Sequence, residues 1–138
     1  MKNIKDYIEL SSYGSEKNYQ ALEEGDGYIF PFPANPIAVI HTKEDAKFIA
    51  VLTFEDGQPR GNHYHHKKIE YMTVLSGKLH CSCYLLENPD DILEFTLNER
   101  EEVKIMPGCV HTMTAVDGDA YAIEYSPNRY KMDDVVFL

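Results

Sequence analysis

The chain has 138 residues, enough for one domain with a single buried core. Its net charge of -10 argues against nonspecific nucleic-acid binding and against docking on an anionic membrane surface. Three cysteines, two of them in Cys81-Ser82-Cys83, do not read as a disulfide framework, and no apolar run suits a signal peptide or a membrane span, so a cytoplasmic protein is expected.

In chain order, residues 1–27 are the least strand-like part, and residues 1–35 make an N-terminal extension expected to pack on the main body. Ile4, Ile8 and Leu10 fit either a short strand or a helical turn. The run Phe30 to Pro36 holds three prolines, so it cannot be a central strand, and it is expected to cross one end of the fold with its phenylalanines as a plug. Strands are predicted at Pro36 to His41 and at Lys47 to Phe54, the latter ending in the turn Glu55-Asp56-Gly57. Further strands are predicted at Ile69 to Leu75, Lys78 to Leu86, Ile92 to Leu97, Val103 to Met106, His111 to Val116 and Ala120 to Tyr125. Asn88-Pro89-Asp90-Asp91 reads as a turn, and Asp117-Gly118-Asp119 as a hairpin turn. About eight short strands with little helix predict an all-β sandwich or barrel over residues 36–126. Residues 127–138 form a polar tail that closes on Val135-Val136-Phe137-Leu138. Four apolar residues at a terminus need cover, from the chain itself or from a second subunit.

The chemistry concentrates between Gly57 and Gly77. His63 and His65 are two apart and share one face of an extended strand. Glu70 opens the next apolar run, and a hairpin pairing would bring its carboxylate beside both imidazoles. Later, the turn Pro107-Gly108 leads into a strand beginning near His111. Three imidazoles and a carboxylate make a nitrogen and oxygen first shell for a divalent ion, so His63, His65, Glu70 and His111 are the candidate metal ligands. His66 and His80 read as surface histidines, and nothing ties His41 to the site. Arg60, Asn62, Lys67 and Lys68 bracket the histidines as a basic island suited to an anionic ligand, with the two lysines also fitting a solvated hairpin tip. Tyr71 should face away from Glu70. Tyr64, Tyr84 and Tyr125 are candidate pocket walls or proton donors, and Met113 shares the face of His111.

The spacing Gly57-x5-His63-x-His65-x4-Glu70-x6-Gly77 resembles the first motif of the cupin superfamily. Pro107-Gly108-x-x-His111 is similar to the second motif, with departures: proline abuts glycine, Ala115 stands where asparagine is frequent, and Glu101 replaces a glycine. The resemblance implies a single-domain cupin jelly-roll β-barrel with the metal inside, and a homodimer. A narrower likeness lies in Arg60-Gly61-Asn62-His63-Tyr64-His65, which resembles small cupins of surface-polysaccharide pathways that act on nucleotide-linked 4-keto sugars. Ketoisomerases of that group use their histidines as acid and base without a metal and often carry glutamine near the Glu70 position. This chain keeps the glutamate, which places it nearer the metal-holding branch.

These readings imply a metal-dependent isomerase or epimerase of a keto sugar, free or nucleotide-linked. His63, His65 or Tyr125 would move the proton, and Arg60, Asn62, Tyr84 and Met113 would contact a sugar-like or anionic substrate. The ligand types fit zinc, iron, manganese or nickel alike. Two alternatives stand beside this: a dioxygenase or lyase acting on a small organic acid, and a non-catalytic cupin that binds a small molecule.

Overall fold

The computed structural model describes residues 2–12, 28–30, 38–40 and 45–138. Twelve strands occur among them: β1 Ile8–Ser12, β2 Tyr28–Phe30, β3 Ala38–Ile40, β4 Phe48–Phe54, β5 Pro59–His65, β6 Glu70–Ser76, β7 Leu79–Leu85, β8 Asn88–Leu97, β9 Glu101–Ile105, β10 Cys109–Ala115, β11 Ala120–Ser126 and β12 Val135–Phe137. One five-stranded antiparallel sheet has the order β1-β9-β6-β11-β4, the second β12-β5-β10-β7-β8, and β2-β3 form a separate ribbon. From β4 onward only β7 and β8 are consecutive strands paired within one sheet. Every other connection crosses between the sheets, the winding of a cupin jelly roll. No helix among the described residues is long and apolar enough to cross a membrane.

Alternation along the strands builds the core between the sheets. On β7, Leu79, Cys81, Cys83 and Leu85 are buried, and they meet Met72 and Val74 of β6, Val103 and Ile105 of β9, and Met113 of β10. All three cysteines are buried free thiols, as expected of apolar-face positions. The opposite face of the first sheet holds a second buried group. Tyr71 and Tyr125 stack with ring centroids 4.8 Å apart, while Thr73 Oγ1 and Tyr125 Oη donate to Glu102 Oε1 at 2.8 and 3.1 Å.

Several local expectations need correction. His63, His65 and Glu70 do not share a hairpin: β5 and β6 lie in different sheets, and the carboxylate faces the imidazoles across the barrel. Asp117-Gly118-Asp119 is likewise a corner between sheets, where Asp117 has φ 59° and Gly118 φ 122°. The expected turn at Asn88 to Asp91 is strand, because the chain reverses at Leu86-Glu87 and Asn88 pairs with Leu85. Pro89 is tolerated because β8 is an edge strand with a ladder on one side only. The N-terminal ambiguity resolves into both forms, a 3-10 helix at Ile4–Tyr7 followed by β1. The proline-rich plug at residues 31–36 and His41 lie outside the described residues. The tail forms a 3-10 helix at Met132–Asp134 and then β12, which pairs with β5. Val135 and Val136 are half-buried there, whereas Phe137 and Leu138 stay 66% and 54% exposed.

Candidate metal centre

Strands β5 and β10 pair so that His63 stands opposite His111. The register slips between His111 and Thr112, leaving Asn62 as the extra residue of a β-bulge. Asn62 has φ 57° and Gly61 φ 113°. A Cβ on Gly61 would sit 2.6 Å from the His111 carbonyl oxygen, so only glycine allows the two strands this approach. The Asn62 side chain turns to the chain end and donates to the Leu138 carbonyl at 3.0 Å.

Glu70 enters from the facing sheet, buried at the start of β6. Its Oε1 lies 2.9 Å from His65 Nε2 and its Oε2 2.7 Å from His111 Nε2, so one carboxylate spans two imidazoles. The His63 ring completes the group, its centroid 4.7 Å from that of His111 and 5.1 Å from that of His65. Single donor atoms of His63, Glu70 and His111 all fall within 4.8 Å of one another, and His65 stands beside them, held by Glu70. His111 Nδ1 donates to the Cys109 carbonyl at 3.1 Å, which leaves its Nε2 pointing at Glu70.

The electrostatics follow from this crowding. Burial alone would raise the Glu70 carboxyl, but the charge of His111 and hydrogen bonds from His111 and His65 hold it well below the usual range. Burial opposes protonation of His111, yet Glu70 and the Cys109 carbonyl push it up to about 9. His63 is pushed down to about 4, first by burial and then by its neighbour His111. Glu124 on β11 is pushed up to about 7 by burial and by the Glu70 carboxylate, with Lys68 opposing.

Three imidazoles and one carboxylate fit a divalent ion by donor type. Three buried atoms, His63 Nδ1, His65 Nδ1 and Glu70 Oε2, have no well-aligned hydrogen-bond partner, although Asp134 Oδ2 lies 3.3 Å from the second and His111 Nε2 2.7 Å from the third. Polar atoms left this way in a buried cluster are what a metal would satisfy.

A cavity of about 270 Å³ opens onto the cluster, lined on its polar side by Arg60, His63, His65, Lys68, Glu70 and Glu124. Phe48, Tyr130 and Phe137 supply aromatic walls. Arg60 stands at the rim, donating to the Thr53 carbonyl at 3.1 Å and lying 5.1 Å from the Phe54 ring centroid.

Other expected contacts do not converge on this cavity. Tyr125 follows Glu124 and so points to the opposite face of its strand, where its hydroxyl is bound to Glu102. Tyr84 alternates with the buried Cys83 and Leu85 and faces outward. Met113 is buried in the core, and Asn62 serves the tail. His66 is exposed, and His80 meets Glu94 at 3.3 Å on the surface.

Glu124 and Asp134 escaped the sequence reading, and Lys68, read there as part of a basic island, is buried in the site. Lys68, also expected at a hairpin tip, is 3% exposed, with Nζ 3.5 Å from Glu70, 3.6 Å from Glu124 and 4.0 Å above the Phe48 ring. Glu124 had a visible signal, a charge in phase with Ala120 and Ala122 on an apolar strand face. Asp134, from the tail, places Oδ2 3.3 Å from His65 Nδ1, and no spacing rule links it to β5.

Residues 37–133 match the family described as polysaccharide biosynthesis C-terminal domain. The chain belongs to that family. Among solved structures it resembles CapF, the capsular polysaccharide assembling protein of Staphylococcus aureus, at 29% identity and a TM-score of 0.62. That match covers 68% of this chain and 27% of CapF, so the chain spans about a quarter of that protein. It also shares its fold with QdtA, a 3,4-ketoisomerase from Thermoanaerobacterium thermosaccharolyticum, at 16% identity and a TM-score of 0.73, covering 94% and 86% of the two chains. WlaRA, a TDP-fucose-3,4-ketoisomerase from Campylobacter jejuni, is similar at 13% identity and a TM-score of 0.72, covering 95% and 89%. No curated protein matches the sequence as a relative.

Proposed function

We propose that this polysaccharide-family cupin binds a divalent metal and isomerises or epimerises a nucleotide-linked keto sugar for surface-polysaccharide synthesis. The observation that carries the reading is Glu70, whose two oxygens face His65 and His111 beside His63 at the wall of an open cavity. A bound ion supplies Lewis-acid polarisation of a carbonyl oxygen. His63, His65, Glu70 and His111 would hold it, with the His111 ring fixed from behind by the Cys109 carbonyl and the Asp134 carboxylate standing behind His65. Lys68 adds a buried cation beside the cavity, and its ammonium sits between Glu70 and Glu124. Glu124 lines the cavity outside the ligand set and is placed to exchange a proton with the sugar, the role first expected of Tyr125. Arg60 at the rim of this cavity is placed to hydrogen-bond the sugar.

Two comparisons support the reading. Structures sharing this fold include QdtA bound to TDP-4-keto-6-deoxyglucose. CapF is known in a complex with the inhibitor 3-isopropenyl-tropolone, and tropolones carry adjacent oxygens that chelate metals.

The test is elemental analysis of the purified protein, followed by assay of the metal-loaded form with TDP-4-keto-6-deoxyglucose and related 4-keto sugars. About one divalent ion per chain and a sugar product with a moved carbonyl or inverted carbon are expected. Protein that neither carries nor takes up zinc, iron, manganese or nickel ends the metal reading. A second reading then applies, in which His63, kept neutral and with Nδ1 unpartnered, acts directly as the base. It predicts full activity in metal-free buffer.

A further inference from the structure

A second cavity, of about 240 Å³, adjoins the first and shares Lys68 with it. Lys47, Lys67, Lys68, Arg129 and Lys131 line it, five of the thirteen basic residues in a chain of net charge -10. Such crowding opposes itself, since like charges around one concavity repel unless an anion sits among them. Lys68 is neutralised by Glu70 and Glu124. Lys47, Lys67, Arg129 and Lys131 make no ion pair among the described residues. Asp134, the one acid in the lining, is already engaged: its oxygens accept the backbone N–H groups of Lys67 and Lys68 and face His65. Four cations without an ion pair among the described residues therefore surround a space suited to a small multiply charged group.

We propose that this cavity is a diphosphate subsite, which takes the phosphates of a ligand whose sugar enters the neighbouring cavity at Glu70. A lone carboxylate would leave most of that positive charge uncompensated, whereas a diphosphate presents several charged oxygens. Arg129 binds two oxygens in its fork and the lysines bind as point charges. Lys68, common to both cavities, marks the join between sugar and phosphate. The subsite deepens the proposed function and rests on it for the identity of the sugar, but its binding chemistry needs no metal.

The test uses the full chain and two probes, TDP and inorganic pyrophosphate, titrated calorimetrically against chelator-treated and metal-loaded protein. The proposal expects both probes to bind the chelator-treated protein, TDP the more tightly, and binding to weaken steeply with salt. The triple variant Lys47→Ala, Arg129→Ala, Lys131→Ala changes exposed side chains only. It should lose TDP affinity about tenfold or more while keeping the parent's metal content and melting temperature. TDP binding that is unchanged in the triple variant, or seen only with metal present, overturns the subsite, as does wild-type protein that binds neither probe. Pyrophosphate binding without TDP binding overturns the nucleotide ligand. Metal content, read separately, reports on the proposed function, so either idea can fail alone.

Discussion

Asp134 Oδ2 lies 3.3 Å from His65 Nδ1, on the side of the ring away from Glu70. The same carboxylate accepts the N–H of Lys67 at 2.9 Å and of Lys68 at 3.2 Å, and its backbone carbonyl accepts the N–H of His66 at 2.9 Å. One tail residue thus pins the β5–β6 turn and sets its carboxylate against an imidazole. Asp134→Ala should weaken divalent-metal binding about 10–100-fold, as loss of a histidine's outer partner does elsewhere. Asp134→Asn, which keeps an acceptor oxygen, should recover part of it. Calorimetric metal titration reads both, and unchanged affinity in the alanine variant would refute the role.

Metal uptake should be proton-linked. With His111 pushed up to about 9 and His63 down to about 4, the metal-free protein at pH 7 carries a proton on His111 and none on His63. Binding must displace close to one proton, so affinity should rise with pH up to about 9 and calorimetric heats should vary with the buffer's ionisation enthalpy. Stability of the metal-free protein runs the other way. A histidine raised on folding stabilises fully below 6.5, and that contribution is lost as pH rises through about 9. Thermal melts from pH 7 to 9 should therefore fall without metal.

Removing the central charge should separate metal from fold. Glu70→Gln retains a coordinating oxygen but leaves His111 and Lys68 short of their counter-charge. Metal affinity should drop, less than in a His63→Ala/His65→Ala double variant, which should remain a folded barrel without metal. Full metal occupancy in the double variant would remove these residues from the ligand set.

Gly61→Ala forces a Cβ against the His111 carbonyl and keeps a left-handed φ. Strain of this kind costs about 1–3 kcal/mol, which lowers a melting temperature by roughly 3 °C per kcal/mol at this size. The larger effect should fall on metal binding, because the relief available is to part β5 from β10. A variant as stable and as tight-binding as the parent would show that the close approach is dispensable.

Deleting residues 135–138 strips β12 from the edge of β5 and removes the Asn62–Leu138 contacts. The melting temperature should fall. Exposed Ile49 and Val51 on the edge strand β4, with Phe137 at the tail, motivate the proposal of a homodimer. Sedimentation at micromolar concentration tests it. A monomeric parent rejects the dimer, and a dimer that survives truncation places the contact away from the tail.

The strand content was legible because period-two burial is local, as on β7, where Leu79, Cys81, Cys83 and Leu85 alternate with polar residues. His63, His65, Glu70 and His111 were singled out by motif spacing and by the resemblance to cupins, although the hairpin expected to join Glu70 to the histidines is absent. What stayed hidden depends on sheet assignment. A crossing between sheets and a hairpin look alike in sequence, which is why Asp117-Gly118-Asp119 and the β5–β6 turn were misassigned. Lys68 reads as a solvated lysine until Glu124, 56 residues later, is seen to meet its ammonium. Asp134 lies one residue past the matched family region, where no motif directs attention.

The Glu70–His111 contact joins the two sheets, one partner from each, inside the barrel. Parting the sheets there would separate a carboxylate and an imidazolium before water could reach either. The sheets should consequently breathe from their rims inward. Amides of β6 and β10 should then be the last to exchange with deuterated solvent, and the edge strands β4 and β8 the first. The residues that give the site its chemistry would also be the rivet about which the barrel's slowest motions turn.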